Sequence, residues 1–477
     1  MTQGDVDRSG GGTTGNPRVD PLGTAPRLGH ASCELIVDGR DMDAGRAHRY
    51  LLTMWEGGGN VPPELGVARR LIERGHEVHV LADPTIGAAA EAIGASFSSW
   101  RRAPHHTSLN PSEDLIKDWE TRNPLVMMRR ARDRFIAGPA AAFASDTAHV
   151  VDRFRPEVVV PDAFLFGSIM AAQAAKLPTA LLVPNIWLLP TSGSPSIGPG
   201  FAPATTVLGR SRDAAMLAVV NRVLGAGLPA INAARGDLGL SPLSSFYDQA
   251  LDADRILVLS SPTFDYASTS VPSNVRYVGP ILDDPDWVGL WEAPWPADDR
   301  RPLVLVGFSS TYQNQGPVLR RVIEALTALP VRAVVTVGQM LDAREVTASA
   351  NVTVVAAASH TQILAEADLV VTHCGHGTVM KSLAAGVPMV CMPMGRDQND
   401  TAARLVHHGV GVRLPPRASV PRISRAVRTV LDRQSFRANA QRMATAISNG
   451  DGTADLIVEL EAVAGLDVTH GTFDAGR

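Results

Sequence analysis

A chain of 477 residues exceeds the size at which one hydrophobic core keeps growing, so two domains are expected, and 45% hydrophobic with 19% charged residues excludes global disorder. A net charge of −4 leaves no basic surplus for a phosphodiester backbone, which argues against nucleic acid as a partner. Three cysteines, Cys33, Cys374 and Cys391, are too few and too scattered for a disulfide framework or a zinc site, and they suit a reducing, cytoplasmic setting.

Residues 1–48 are polar and rich in Gly and Thr, without the cationic start and apolar core of a signal peptide, and read as a disordered leader. Met42 is an alternative start just ahead of the first strand-like run. RYLLTMW, from Arg49 to Trp55, predicts a buried strand that passes through the glycine-rich EGGGN into a helix. In that helix Leu65, Ala68, Leu71 and Ile72 recur at three- and four-residue intervals, and Gly75 ends it. EVHVLAD, PEVVVPDAF and ALLVPN give further strands, the last two separated by the small-residue helix GSIMAAQAAK. Residues 49–190 therefore predict βα units on a parallel sheet covered on both faces. The most apolar stretch, 158–190, is broken by Pro161, Asp162, Gln173, Lys176, Pro178 and Pro184, so no transmembrane segment is expected.

Beyond a loop at SGSPSIGPG, the run DAAMLAVVNRVLGAGLPAIN predicts one helix, and RILVLSS and NVRYVGPIL predict strands that close a first domain, 49–285. The Pro-, Asp- and Trp-rich DDPDWVGLWEAPWPADDRR breaks both periodicities and places the interdomain linker at 286–300. The βα rhythm then restarts, from PLVLVGF to DTAARLVHHG, and predicts a second doubly wound sheet over 301–450, with a C-terminal helix and tail at 451–477. The expected fold class is α/β, with two Rossmann-like domains facing across a cleft.

The densest motif is DLVVTHCGHGTVMKSLAAGVPMVCMPMGRDQND, 368–400. A buried strand runs into a Gly-containing turn that opens a helix, and the unpaired N–H groups and dipole there suit a phosphate. Gly375 and Gly377 admit close approach, and Thr378 and His373 add a hydroxyl and a ring N–H. Taken alone, this loop also reads as a tight turn with Thr378 as an ordinary N-cap. Asp397 and Gln398 follow the next strand, where a carboxylate and an amide together suit vicinal sugar hydroxyls.

This box resembles the donor-binding box of family-one glycosyltransferases of the GT-B fold, in which HxGxGT, GVP and a DQ pair follow one another. Here they stand as His373 to Thr378, Gly386 to Pro388, and Asp397–Gln398. LVGFSST, with Ser309, Ser310 and Thr311, resembles the family's phosphate-side loop, and His360 falls where members place a residue against the nucleobase. GNVPPELGVARRLIERGHEV and VVVPDAFLFGSIMAAQAAKLPTALL resemble its opening loop, helix and acidic-residue strand, so the resemblance spans residue 49 to about 450. It implies an inverting, metal-independent sugar transfer with no cofactor beyond the nucleotide-sugar co-substrate, in natural-product or antibiotic biosynthesis. The implied partners are that nucleotide sugar and an apolar small-molecule acceptor; a homodimer is left open. A non-catalytic GT-B partner protein and a nucleotide-sugar epimerase are the alternative readings.

Two departures from the family pattern shape the expectations. Asn60 stands where most members have the histidine that deprotonates the acceptor, and an amide has no titratable nitrogen near neutral pH. Asp162 occupies the position of that histidine's carboxylate partner. It is expected to act as the base itself, with Asn60 orienting the acceptor, or else only to tie down its loop. His105 and His106 are rival bases, and an acidic or already nucleophilic acceptor would need little base. Lys381 stands where uridine-using relatives carry a glutamate that accepts from both ribose hydroxyls, which favours a dTDP-sugar over a UDP-sugar. Trp100, Phe135, Phe164, Phe166 and Trp187 are the acceptor-side candidates, each of which reads equally well as core, and Phe135 is expected in the core.

Overall fold

The computed structural model describes residues 46–466 apart from 122, 192, 267–270, 285–287 and 339–348. Most of the leader, the start of the linker and the end of the tail lie outside the described residues. In the first half, strands β1 (Arg49–Thr53), β2 (Glu77–Ala82), β3 (Ser96–Ser99) and β4 (Val158–Pro161) pair in the order β3-β2-β1-β4. Strands β5 (Ala180–Val183), β6 (Arg255–Val258) and β7 (Val275–Tyr277) form a second group, in that order. Parallel bridges from Val159 to Thr179 and from Asp162 to Leu182 join the two groups into one layer. The second half places β8 (Leu303–Gly307), β9 (Arg332–Thr336), β10 (Val352–Val355), β11 (Leu369–Thr372), β12 (Met389–Cys391) and β13 (Gly411–Arg413) in the order β10-β9-β8-β11-β12-β13.

Both layers thus share one winding, which reverses direction next to the first strand of each half, where open α/β sheets bind ligands. The central strands are buried along their whole length, VVVP in β4, LVLVG in β8 and LVVT in β11, which is why they read as unbroken apolar runs. Registers align the strand ends: Thr53 faces Pro161 and Thr372 faces Gly307. The loops after β1 and β4, and those after β8 and β11, therefore leave common edges.

Helix Val61–Glu73 starts on Pro62 and Pro63 in its first turn, buries Leu65, Val67, Ala68 and Leu71, and stops before Gly75 at φ +100°. The expected single helix over 213–232 is instead two, Val207–Gly225 and Leu228–Asp237, bent by 41°. Pro229 explains the break, since proline fits a first helical turn but removes a bond from an interior. Helix Leu456–Ala464 returns to the first half, where Leu456, Leu460 and Val463 pack with Tyr50, Leu52 and Leu71. Cys374 and Cys391 are joined by a disulfide between the ends of neighbouring β11 and β12, with Cα atoms 5.7 Å apart. The expectation of scattered, unpaired cysteines is corrected, because strand adjacency erases a 17-residue separation. Among the described residues no single helix is long and apolar enough to cross a membrane.

Candidate active site

Loops from both halves enclose a cavity of about 830 Å³. On the second-half wall, Gly375 is the N-cap of helix His376–Ala384, and no side chain caps that helix. Its first-turn N–H groups are left for a ligand, with the positive end of the helix dipole behind them. Gly375, Gly377 and Thr378 all line the cavity. Facing them is the loop after β8, where Ser309 Oγ lies 3.1 Å from Thr311 Oγ1 and accepts from Thr311 N at 3.2 Å. Ser309 and Ser310 line the cavity while Thr311 stands behind them. The first half closes on this loop through Gly58, at φ +80°, where a Cβ would come within 2.6 Å of Thr311.

His373 is buried and stacks on Phe308 at 5.9 Å and 26°. Burial, aided by the charge of Arg396 and opposed by a bond to the Gly307 backbone, pushes its pKa down to about 4, so it is a neutral ring with a single N–H. His360 lies 3.1 Å from Thr336 Oγ1, and burial holds it at about 4 as well. Asp397 lines the cavity and takes a bond from the correctly oriented Asn185 amide of the first half at 3.2 Å. Gln398 is already engaged: Oε1 accepts from Met394 N and Gly395 N at 2.8 and 3.1 Å, and Nε2 donates to Gln313 at 2.9 Å. Its amide shapes the loop, and little capacity remains for sugar hydroxyls. Lys381 does not swing to solvent. It pairs with Asp284, which also accepts from Ser359 Oγ at 2.7 Å and Thr361 N at 3.2 Å. The neighbouring Asp283 takes a two-pronged bond from Arg70 at 2.8 and 3.0 Å, so consecutive carboxylates tie the connecting segment to both halves.

The first-half wall is apolar. Phe164, Phe166 and Trp187 line it as expected, joined by Trp55 and by Phe135, whose ring sits 4.3 Å from that of Trp55. Phe135 is therefore both core and wall. Trp100 is not part of the wall: it is 2% exposed, packs edge-on against Phe143 at 4.9 Å, and donates its indole N–H to Met54 O at 3.0 Å. The aromatic-contact expectation fails there because the loop after β3 turns Trp100 inward. Trp100→Ala should cost about 3–5 kcal/mol of stability, read by urea unfolding, and leave acceptor KM unchanged in the folded fraction.

Asn60 lines the cavity but turns its amide inward, with Nδ2 donating to Trp55 O at 3.0 Å. Asp162 is 1% exposed, lies against Asn60 and Trp55 outside the cavity lining, and accepts from Phe164 N at 2.8 Å. His105 and His106 do not reach the cavity either. His105 bonds Ala103 O at 2.8 Å, and His106 is buried against Asp83 at 3.1 Å.

Sequence reasoning missed Glu64. It is fully buried against Asp162, with Asn60 beside it. The available signal was its spacing, since 64, 67, 68 and 71 form one helical face. Burial and the adjacent Asp162 push Glu64 well above the ordinary carboxylate range, and burial raises Asp162 too. Two acceptor-only groups in contact need a shared proton, which Glu64 donates. A raised folded-state pKa gives stability that is complete below the unfolded carboxylate value and lost as pH rises through the folded one. Glu64→Gln, which donates without titrating, should flatten this loss. The variant should be more stable than wild type at pH 8 by roughly 1–3 kcal/mol, with the difference vanishing near pH 4, in melts across that range.

Residues 320–463 match the family model described as erythromycin biosynthesis protein CIII-like, C-terminal domain. The chain is 29% identical over 427 residues to 4'-demethylrebeccamycin synthase of Lentzea aerocolonigenes, covering 87% of this chain and 99% of that protein. The glycotransferase of kitacinnamycin has the same fold, with a TM-score of 0.67 and 22% identity over 87% of this chain and 99% of its own. Glycosyltransferase VinC in complex with dTDP follows at 0.63 and 17%, covering 87% and 99%. With two matching Rossmann-like layers and an uncapped helix start facing a hydroxyl-rich loop, the chain shares the two-layer fold of these solved glycosyltransferases and is similar along most of its length to 4'-demethylrebeccamycin synthase.

Proposed function

We propose that the protein transfers a sugar, with inversion, from a dTDP-sugar to an apolar aromatic natural product. One observation carries this reading: a single cavity has anion-binding backbone and hydroxyls on one wall and Trp55, Phe164, Phe166 and Trp187 on the other. In the reaction, the acceptor heteroatom attacks the anomeric carbon from the first-half side. The diphosphate departs toward the Gly375–Thr378 helix start, His373 and the Ser309–Ser310 loop, whose fixed dipoles favour the charge it gains. The nucleobase rests by His360, and Asp397 receives sugar hydroxyls. A lysine at position 381, paired with Asp284, offers no acceptor for a 2′-hydroxyl, which favours the deoxyribose donor.

The acceptor's proton is the unusual feature. Asn60 cannot take it, and Asp162 lies one side chain behind the wall. An acceptor that is itself acidic or nucleophilic, a phenol or an aromatic amine, fits this site better than an aliphatic alcohol. The reading is tested by calorimetric titration with dTDP and UDP, and by dTDP release from dTDP-glucose with 2-naphthol or cyclohexanol as acceptor. Tighter dTDP binding and transfer confined to 2-naphthol support it. Preference for UDP overturns the donor, and equal rates with cyclohexanol overturn the acceptor class.

A further inference from the structure

Arg396 lies inside the donor box, next to the DQ pair, with no role assigned to it so far, and it stands where the two halves meet. It precedes Asp397 in the loop after β12, in left-handed backbone at φ +54°, and its side chain lines the cavity. Within the second half, Nη1 donates to Thr311 Oγ1 at 3.1 Å, beside Ser309, and the same charge bears on His373. From the first half, Asp118 Oδ2 accepts from Nε at 2.8 Å, Gly57 O accepts from Nη1 at 3.4 Å, and Asp114 Oδ2 lies 3.8 Å from Nη2. Asp118 is buried, also accepts from Gln313 at 2.8 Å, and has one oxygen without a partner. A guanidinium carries five donors, and the two on Nη2 have no partner within hydrogen-bond distance among these contacts.

We propose that Arg396 takes up the charge that develops on the departing diphosphate, and that Asp118 is the positioning residue that holds the guanidinium there from across the cleft. The proposal rests on the glycosyl-transfer reading above. When the bond from the anomeric carbon to the β-phosphate oxygen breaks, its electron pair stays on that oxygen and the diphosphate gains one negative charge. The acceptor heteroatom meanwhile bonds the carbon, its proton passing to solvent, before the attack for a phenol and on product release for an aromatic amine. A planar cation beside the hydroxyl loop and the helix start offsets that charge. Because Asp118 comes from the other half, the cation is placed only when the halves are together, which ties leaving-group departure to closure of the cleft.

The test uses the full chain and compares thymidine with dTDP by calorimetry, so that the diphosphate's share of the binding is read directly. Arg396→Gln should weaken dTDP about 10- to 100-fold and leave thymidine within about threefold. Arg396→Lys, which keeps the charge but not the fork, should fall between the two. Asp118→Asn should weaken dTDP about three- to tenfold in the wild-type background and have no effect in Arg396→Gln, because a residue that acts only through Arg396 has nothing left to hold. If Arg396→Gln binds dTDP as wild type does, the charge assignment is overturned. An Asp118→Asn effect of equal size in both backgrounds overturns the positioning role. If the wild-type chain binds neither dTDP nor UDP, the glycosyl-transfer reading itself falls, and the two failures are thereby told apart.

Discussion

Gly375→Val should abolish useful donor binding, raising the dTDP Kd by about 100-fold or more. A Cβ at position 375 would come within 2.7 Å of His373 Nε2 and 2.8 Å of its Cε1. The ring cannot step aside cheaply, because it is buried and stacked on Phe308. Displacing it removes one donor from the phosphate cradle, and overpacking adds about 1–3 kcal/mol of strain at the helix start itself. The backbone of Gly375, at φ −61°, tolerates any residue, so the demand is for space and not for conformational freedom. Gly377 is the internal control. Nothing lies within 4 Å of a Cβ there, so Gly377→Ala should bind dTDP within about threefold of wild type. Equal effects of the two substitutions would show that crowding of His373 is not the cause.

Asn60→His should raise transfer to an aliphatic alcohol by about 10²-fold, the lower range for a positioned general base, and change transfer to 2-naphthol far less. The reasoning follows from where Asp162 lies. Its carboxyl already sits against residue 60, so an imidazole placed there would find its orienting partner in position. The gained activity should disappear in the Asn60→His, Asp162→Asn double variant. It should also fall as pH drops, because a base is lost on protonation. If Asn60→His gains nothing while its melting temperature and dTDP affinity are unchanged, the proposed link between the amide at position 60 and a preference for acidic acceptors is overturned.

Much of the fold was legible because parallel strands covered on both faces must be apolar at every position. VVVP, LVLVG and LVVT announce themselves without any partner in view. The glycine turn that opens helix His376–Ala384 was legible for a similar reason, since its residues are contiguous in the chain. Trp100 was misread because an aromatic residue after a strand has the same local sequence whether it turns toward a cleft or into the core. Glu64 was visible only as an acid on a buried helical face, and its meaning depends on Asp162, 98 positions further on. The split of the helix at Pro229 was written in the chain and is a matter of reading proline position.

Chain order alone determined the two-layer α/β architecture, the glycine-opened helix start after β11, and the untitratable amide at position 60. These depend on periodicity, glycine placement and residue identity, which need no distant partner. Tertiary structure alone decided that Arg396 meets Asp118, that Cys374 reaches Cys391, and that Asp162 stands behind the cavity wall with Glu64. Each of those outcomes sets the charge or access of a group through a neighbour brought in by sheet order and closure of the two halves. Burial and electrostatics act over a few ångströms of space, whatever the distance along the chain.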